Sequence, residues 1–374
     1  MLSSLSEPTV ITSPKPATRS EIGSLTAVRF FPMIAVILDH SFRITTHQCV
    51  SFFFILSGFV LALSYSNILL TPKVFARFSI ARIARLWPSH AFCLVLLAAL
   101  VPELYKFTKG TAPLFFTNLF LLQAWIPDFK VFFSYNAPAW ASSVLIFMSL
   151  SFPFLMVAMR KSWKLTLVGC AVPLVGLIIF CNQANLPEAS TTGLSLQGLL
   201  YVNPLSRLFE FAMGIAAALL FHEISRKKSV DARVSSFLEL AAIASMVFGF
   251  VFASKLQQIT GIWLGPAGGY WMRNVGSTLL PCCLLFFALT FQRGVFSKAL
   301  DNPVLRFLGE ITFSIYMLHA VLLCYRTLHF PDADPIVSFA VWLVTVLVGS
   351  VLMYEFFEKP TRKLILNIGG KLAS

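Results

Sequence analysis

The chain has 374 residues, of which 57% are hydrophobic, 12% are charged and 38 are phenylalanine, with a mean hydropathy of +0.79. Soluble domains carry about 25% charged residues, so half that density excludes an ordinary cytosolic globule and predicts an all-α integral membrane protein. The formal charge of +13 does not imply nucleic-acid binding, because the basic residues sit between the apolar runs.

Residues 1–25 are rich in Ser, Thr and Pro and hold no apolar core of a signal peptide, which predicts a disordered cytoplasmic tail. Runs long enough to cross about 30 Å of hydrocarbon follow near 27–43, 50–66, 88–106, 139–158, 165–181, 206–222, 236–254, 274–292, 308–327 and 335–356. They predict a transmembrane domain over 26–358 with about ten helices, both termini cytoplasmic, and a basic cytoplasmic tail over 359–374. APLFFTNLFLLQAW, 112–125, is apolar but short and reads as interfacial or re-entrant. GPAGGY, 265–270, falls in an outer loop, and the loops 107–138 and 255–273 are rich in Trp and Tyr. Such aromatics suit sugar rings or, more commonly, an interfacial belt.

On this topology 21 of the 29 Lys and Arg lie in inner segments and four in outer segments. That asymmetry orients the chain and attracts anionic headgroups as a by-product. Seven cysteines show no C-x-x-C pair and no His/Cys cluster with zinc spacing, so neither a disulfide framework nor a metal is expected.

Ionisable residues inside the runs narrow the reading. The first run opens with Arg29 and closes with Asp39 and His40. One continuous helix puts Arg29 and His40 about 20° apart and about 16 Å along the axis, with Asp39 about 100° away from His40. Arg207 and Glu210, at i and i+3, can pair at the start of the sixth span. Glu310 and His319 lie in or beside the ninth, while Glu355 and Glu358 end the tenth. Each has a purely structural explanation: snorkelling, a carbonyl hydrogen bond, helix-to-helix glue. Their joint occurrence predicts a site within the membrane.

Short motifs in order carry a resemblance. EIGSLTAVRFFPMIAVILDH holds Arg29 and His40, SFFFILSGFVLA (51–62) an FF-x-x-SGF pattern, and RFSIARIARLWP (77–88) an R-x-x-R pair, Arg82 and Arg85. NPLSRLFEFAMGIAAALLF (203–221) reads P-x-x-R-x-x-E-F-x-x-G, and LRFLGEITFSIYMLHAVLL (305–323) carries an L-G pair, Thr312 in a serine's place, a tyrosine and a histidine. FFEKPTRKLI (356–365) ends with E-x-P-x-R. Together they resemble the bacterial membrane acyltransferase-3 family. WASSVLIFMSLSFP (140–153) departs from that family's W-S-L-S-V-E-x-x-F-Y: Leu145 stands in the glutamate's place and Ser149 in the tyrosine's.

The resemblance implies an O-acyltransferase in the bacterial inner or plasma membrane. It would move an acyl group, acetyl first among them, from cytoplasmic acyl-CoA to a hydroxyl of a polysaccharide or other small acceptor. His40 would be the general base and Arg29, Arg82 and Arg85 would hold acyl-CoA. Asp39, Arg207, Glu210, Glu310 and His319 would contact the substrate, and membrane lipids would surround the bundle. Two alternatives stay open. A proton-coupled transporter also uses intramembrane His and carboxylates. A non-catalytic relative draws its support from Leu145.

Overall fold

The computed structural model describes residues 22–42, 47–102, 108, 110–227, 230–332 and 334–372, so residues 1–21 of the expected tail lie outside the described residues. Among the described residues the fold is all helix without strands. The expected tail boundary at 25 moves inward, because α1 (Gly23–Ala27) is already buried along its whole length. A turn at Val28 and Arg29 separates it from α2 (Phe30–Phe42). Arg29 and His40 therefore do not share one continuous helix. The break lies beside a close contact: a Cβ on Gly309 would strike the Thr26 carbonyl, so α1 packs directly on α13 (Pro303–Glu310).

Next come α3 (Gln48–Ser64), which packs on α2, and α4 (Pro72–Leu100). The Thr71 hydroxyl caps α4 by accepting from the Val74 amide at 3.3 Å, with proline in the first turn. The short apolar run forms only α5 (Ala112–Leu119), eight residues, and α6 (Phe129–Phe132) follows. α7 (Ala139–Gln183) joins the fourth and fifth expected spans across a kink at Ser162 (φ −156°, ψ 94°). Arg160, beside the kink, donates to the Ile68 carbonyl at 2.8 Å.

A wide π-turn at Gln197–Val202 leads into α8 (Pro204–Lys227), followed by α9 (Ala232–Val251) and α10 (Ala253–Asn274). The expected outer loop 255–273 is thus helical. It breaks at Gly265, whose φ of 72° a side chain would resist. Asn182 stitches the break, donating to the Leu264 carbonyl at 2.8 Å and accepting from the Ala267 amide at 3.0 Å. The chain ends with α11 (Leu279–Thr290), α12 (Val295–Leu300), α13 (Pro303–Glu310), α14 (Thr312–His329), α15 (Pro335–Met353), a π-turn at Tyr354–Glu358 and α16 (Lys359–Leu372). The segment expected as a basic tail is therefore mostly helix, and it packs on α4, with Gly369 against Ile80.

Among the described residues five stretches, formed by α4, α7, α8 with its preceding turn, α9, and α15 through α16, are long and apolar enough to cross a membrane. Two bent pairs, α10 with α11 at 52° and α13 with α14 at 55°, raise the number to seven. The molecule is a multi-pass helical membrane protein. The lower number against ten expected runs has a local reason. α2 and α3 have 13 and 17 residues, short of the roughly 20 that a span needs, and two runs are fused in α7.

α3 and α8 cross closely. A Cβ on Gly58 would strike the Phe211 carbonyl oxygen, and one on Gly214 the Ile55 carbonyl oxygen. Two helices read as separate motifs thus meet backbone to backbone, the contact that small residues permit in membranes. Gly214→Val should cost at least the roughly 1–3 kcal/mol of an overpacked core. It should lower the unfolding temperature in detergent, while Gly176→Val, which meets open space, should not. Equal unfolding temperatures for the two variants would contradict the close crossing.

Candidate active site

A cavity of about 140 Å³ opens between α3, α4, α7 and the α13–α14 bend. Its walls follow helical periodicity. On α7, Ala141, Leu145 and Ser149 recur every four residues and so share one face. On α3, Val50, Phe53, Phe54, Ser57 and Leu61 do the same at spacings of three and four. Arg29, Arg82 and Arg85 line it together with Glu310. The structure thus brings together the three cations that the sequence singles out.

Arg82 lies against aromatic faces, its guanidinium carbon 5.3 Å from the Phe78 ring centre and 5.9 Å from that of Tyr65. Its Nε is buried without a hydrogen-bond partner. Glu310 accepts a hydrogen bond from the Tyr354 hydroxyl at 2.9 Å. Behind the arginines sits Glu358 of the C-terminal motif, buried, accepting from the Ser314 hydroxyl at 2.7 Å and the Ser89 hydroxyl at 3.3 Å. It ties the last π-turn to the helix that carries Arg82 and Arg85.

The far end of the cavity is set by the start of α7. Tyr316 donates to the Pro138 carbonyl at 3.0 Å, Asn136 to the Met317 carbonyl at 2.9 Å, and Ser143 to the Leu121 carbonyl at 2.5 Å. The first two bonds hold the start of α7 against α14, the third ties α7 to the segment at Leu121, and Leu145 faces the cavity. Val50 to Leu61 spans eleven residues of α3, about 16 Å, which is the length of the cavity wall. Tyr316, on that wall, has its ring 5.8 Å from His319, and His319 lies 5.2 Å from His40. His40 is exposed and does not line the cavity; it stands one histidine beyond its far end. Asp39 is its partly buried neighbour on α2, also off the cavity wall.

Arg207 and Glu210 do pair, Nε to Oε1 at 3.0 Å, but both are fully buried. The guanidinium lies 5.0 Å from Phe54 and 5.1 Å from Tyr201 and donates to the Ser51 hydroxyl at 3.1 Å. The pair backs the cavity wall through Phe54 and does not open to the outer surface. The spacing alone could not tell a lumen-facing pair from one turned into a neighbouring helix. Tyr316, inside a quoted motif, is the wall residue that sequence reasoning passed over.

A helical membrane protein with a cation-headed apolar cavity defines the class. The family model described as an acyltransferase domain matches residues 22–355. The chain belongs to the acyltransferase-3 family, and it is an acyltransferase. It is 27% identical over 335 residues to the acyltransferase MdmB of Streptomyces mycarofaciens, a match covering 81% of this chain and 79% of that protein. Proteins of Staphylococcus aureus strains COL and MSSA476, provisionally named O-acetyltransferases, are 22% identical over 216 residues, covering 56% of this chain and 32% of theirs. No solved structure matches the chain.

The burial of Arg207 and Glu210 yields a stability prediction. Glu210→Gln or Arg207→Met alone leaves a charge without its counter-ion and should cost about 3–5 kcal/mol. The double variant should recover most of that loss in a thermal unfolding series. Single variants that unfold like the parent but bind acceptor poorly would instead assign the pair to an acceptor site.

Proposed function

We propose that the chain transfers an acyl group, acetyl first among them, from cytoplasmic acyl-CoA to a hydroxyl of a carbohydrate or other small acceptor. The observation that carries this reading is the convergence of Arg29, Arg82 and Arg85 at one end of an apolar cavity whose other end approaches His40. Arginine forks suit phosphates, through paired charge-assisted hydrogen bonds. Arg82 lies over the Phe78 and Tyr65 rings, and its Nε has no hydrogen-bond partner. The apolar wall suits the thioester arm. The names of the staphylococcal relatives favour an oxygen acceptor and an acetyl group.

In this reading α2, α3 and each half of α7 also cross, the bilayer thinning to match the shorter helices, so that the bundle makes ten passes in a bacterial plasma membrane with both termini cytoplasmic, which puts the arginines inside and His40 in the outer half. His40 takes the proton of the acceptor hydroxyl. The oxygen bonds to the thioester carbonyl carbon, the carbon–sulfur bond breaks, and the thiolate regains the proton from His40. A neutral imidazole suits both proton transfers. Asp39 and Glu310 remain candidates for acceptor contacts at the two ends of this route. Leu145, where the family has a carboxylate, contributes only apolar surface.

Kinetics with acetyl-CoA separate the roles. Arg82→Ala and Arg85→Ala should raise the donor KM about tenfold or more, since a charge-assisted hydrogen bond is worth about 1.5–3 kcal/mol. Lysine should rescue poorly, lacking the planar fork. His40→Ala should abolish turnover and leave donor binding intact. An unchanged donor KM beside a raised acceptor KM in the arginine variants would move these residues to the acceptor side.

A further inference from the structure

Resting on the reading of His40 as the base, we infer that His319 is the positioning residue for His40, a neutral acceptor held in one tautomer. His319 is fully buried on α14. Its Nδ1 lies 2.7 Å from the Tyr316 carbonyl oxygen and 3.2 Å from that of Ile315. Carbonyl oxygens only accept, so Nδ1 carries the hydrogen, and Nε2 is left as a lone-pair acceptor. That Nε2 is buried without a hydrogen-bond partner, an arrangement that native interiors rarely leave unexplained. The His40 ring lies against that of His319, at 5.2 Å between centres and a 43° tilt. Full burial and the bonds from Nδ1 to the two carbonyls hold the ring of His319 in place.

The consequence is chemical. Asp39 is adjacent in sequence and projects about 100° away from His40 around α2; a partner can orient the ring from another helix instead. His319 does so from across the bundle. A small rotation of the exposed His40 ring brings one of its N–H groups onto the His319 lone pair. The other His40 nitrogen is then unprotonated and turned towards the acceptor. When His40 takes the hydroxyl proton, the imidazolium keeps its N–H on His319 Nε2, and no proton passes to His319. The proton returns from His40 to the departing thiolate. His319 thus serves as the orienting partner of a base without adding a negative charge to the membrane interior, where charge is costly.

Labelling with diethyl pyrocarbonate, which modifies unprotonated imidazole, reads this without turnover. The full chain in detergent is labelled and the rates at His40 and at His47 are followed by peptide mass spectrometry. His319→Phe should slow labelling of His40 about fivefold, the size of one hydrogen bond, with His47 unchanged. His319→Gln, which can present an amide oxygen near the Nε2 position, should restore most of the rate. His319→Leu replaces the phenylalanine variant if the phenyl ring does not pack. Equal His40 labelling in the parent and the apolar variant would overturn the inference, as would glutamine labelling no faster than the apolar variant. Acetyl-CoA turnover surviving in His40→Ala would instead overturn the base assignment, an outcome distinct from either labelling result.

Discussion

The meeting of α3 and α8 through Gly58 and Gly214 organises what lies around it. With each glycine against the carbonyl of the opposite helix, the backbones lie too close for side chains between them. The side chains on either flank must therefore find places at the edges of the crossing. Arg207 and Glu210 take one flank, where Ser51, Phe54 and Tyr201 receive the guanidinium. The pair is expensive to desolvate and contributes little net stability. Its consequence is placement: Phe54, on one side of Arg207, forms the cavity wall on its other side. A wider crossing would loosen that wall and the α3 face that runs beside the arginines.

Breaks in helices occur where polar groups are needed. The turn at Val28 and Arg29 delivers Arg29 to the cavity, and the 55° bend between α13 and α14 delivers Glu310. The π-turn at Tyr354–Glu358 aims Tyr354 at Glu310 and Glu358 at Ser89 and Ser314. Wide turns of this kind collect at functional sites because they free backbone and re-aim side chains. The terminal motif is thereby coupled to the arginine helix, though the two are more than 250 residues apart in the chain.

Much of this was legible in the sequence, for identifiable reasons. Low charge density and long apolar runs read as a membrane bundle, and the motif order read as the family. Arg29, Arg82, Arg85 and Leu145, each singled out in a motif, line one cavity. The rest depended on long-range packing. The interruption before α2 sits beside the contact of Thr26 with Gly309, some 280 residues away. Arg207 and Glu210 are expected at the substrate, but i, i+3 spacing does not say which neighbour a pair faces, and both are buried. The glycines at 58 and 214 were the signal of the close crossing that decides it. Gly265 and Pro266 read as a loop, whereas Asn182 bridges their break inside a helix. The tail after Lys359 carries Pro360 in its first turn and apolar Leu364, Leu366 and Ile368, helix signals that its basic character concealed.

The central claim is that the arginine-headed cavity receives the acyl donor. A structure of the protein with a non-hydrolysable acetyl-CoA analogue tests it most directly. The account predicts the phosphates on Arg29, Arg82 and Arg85 and the sulfur end inside the cavity, between Leu145 and Tyr316. An analogue bound elsewhere, with the three arginines unengaged and the cavity unfilled, would contradict it.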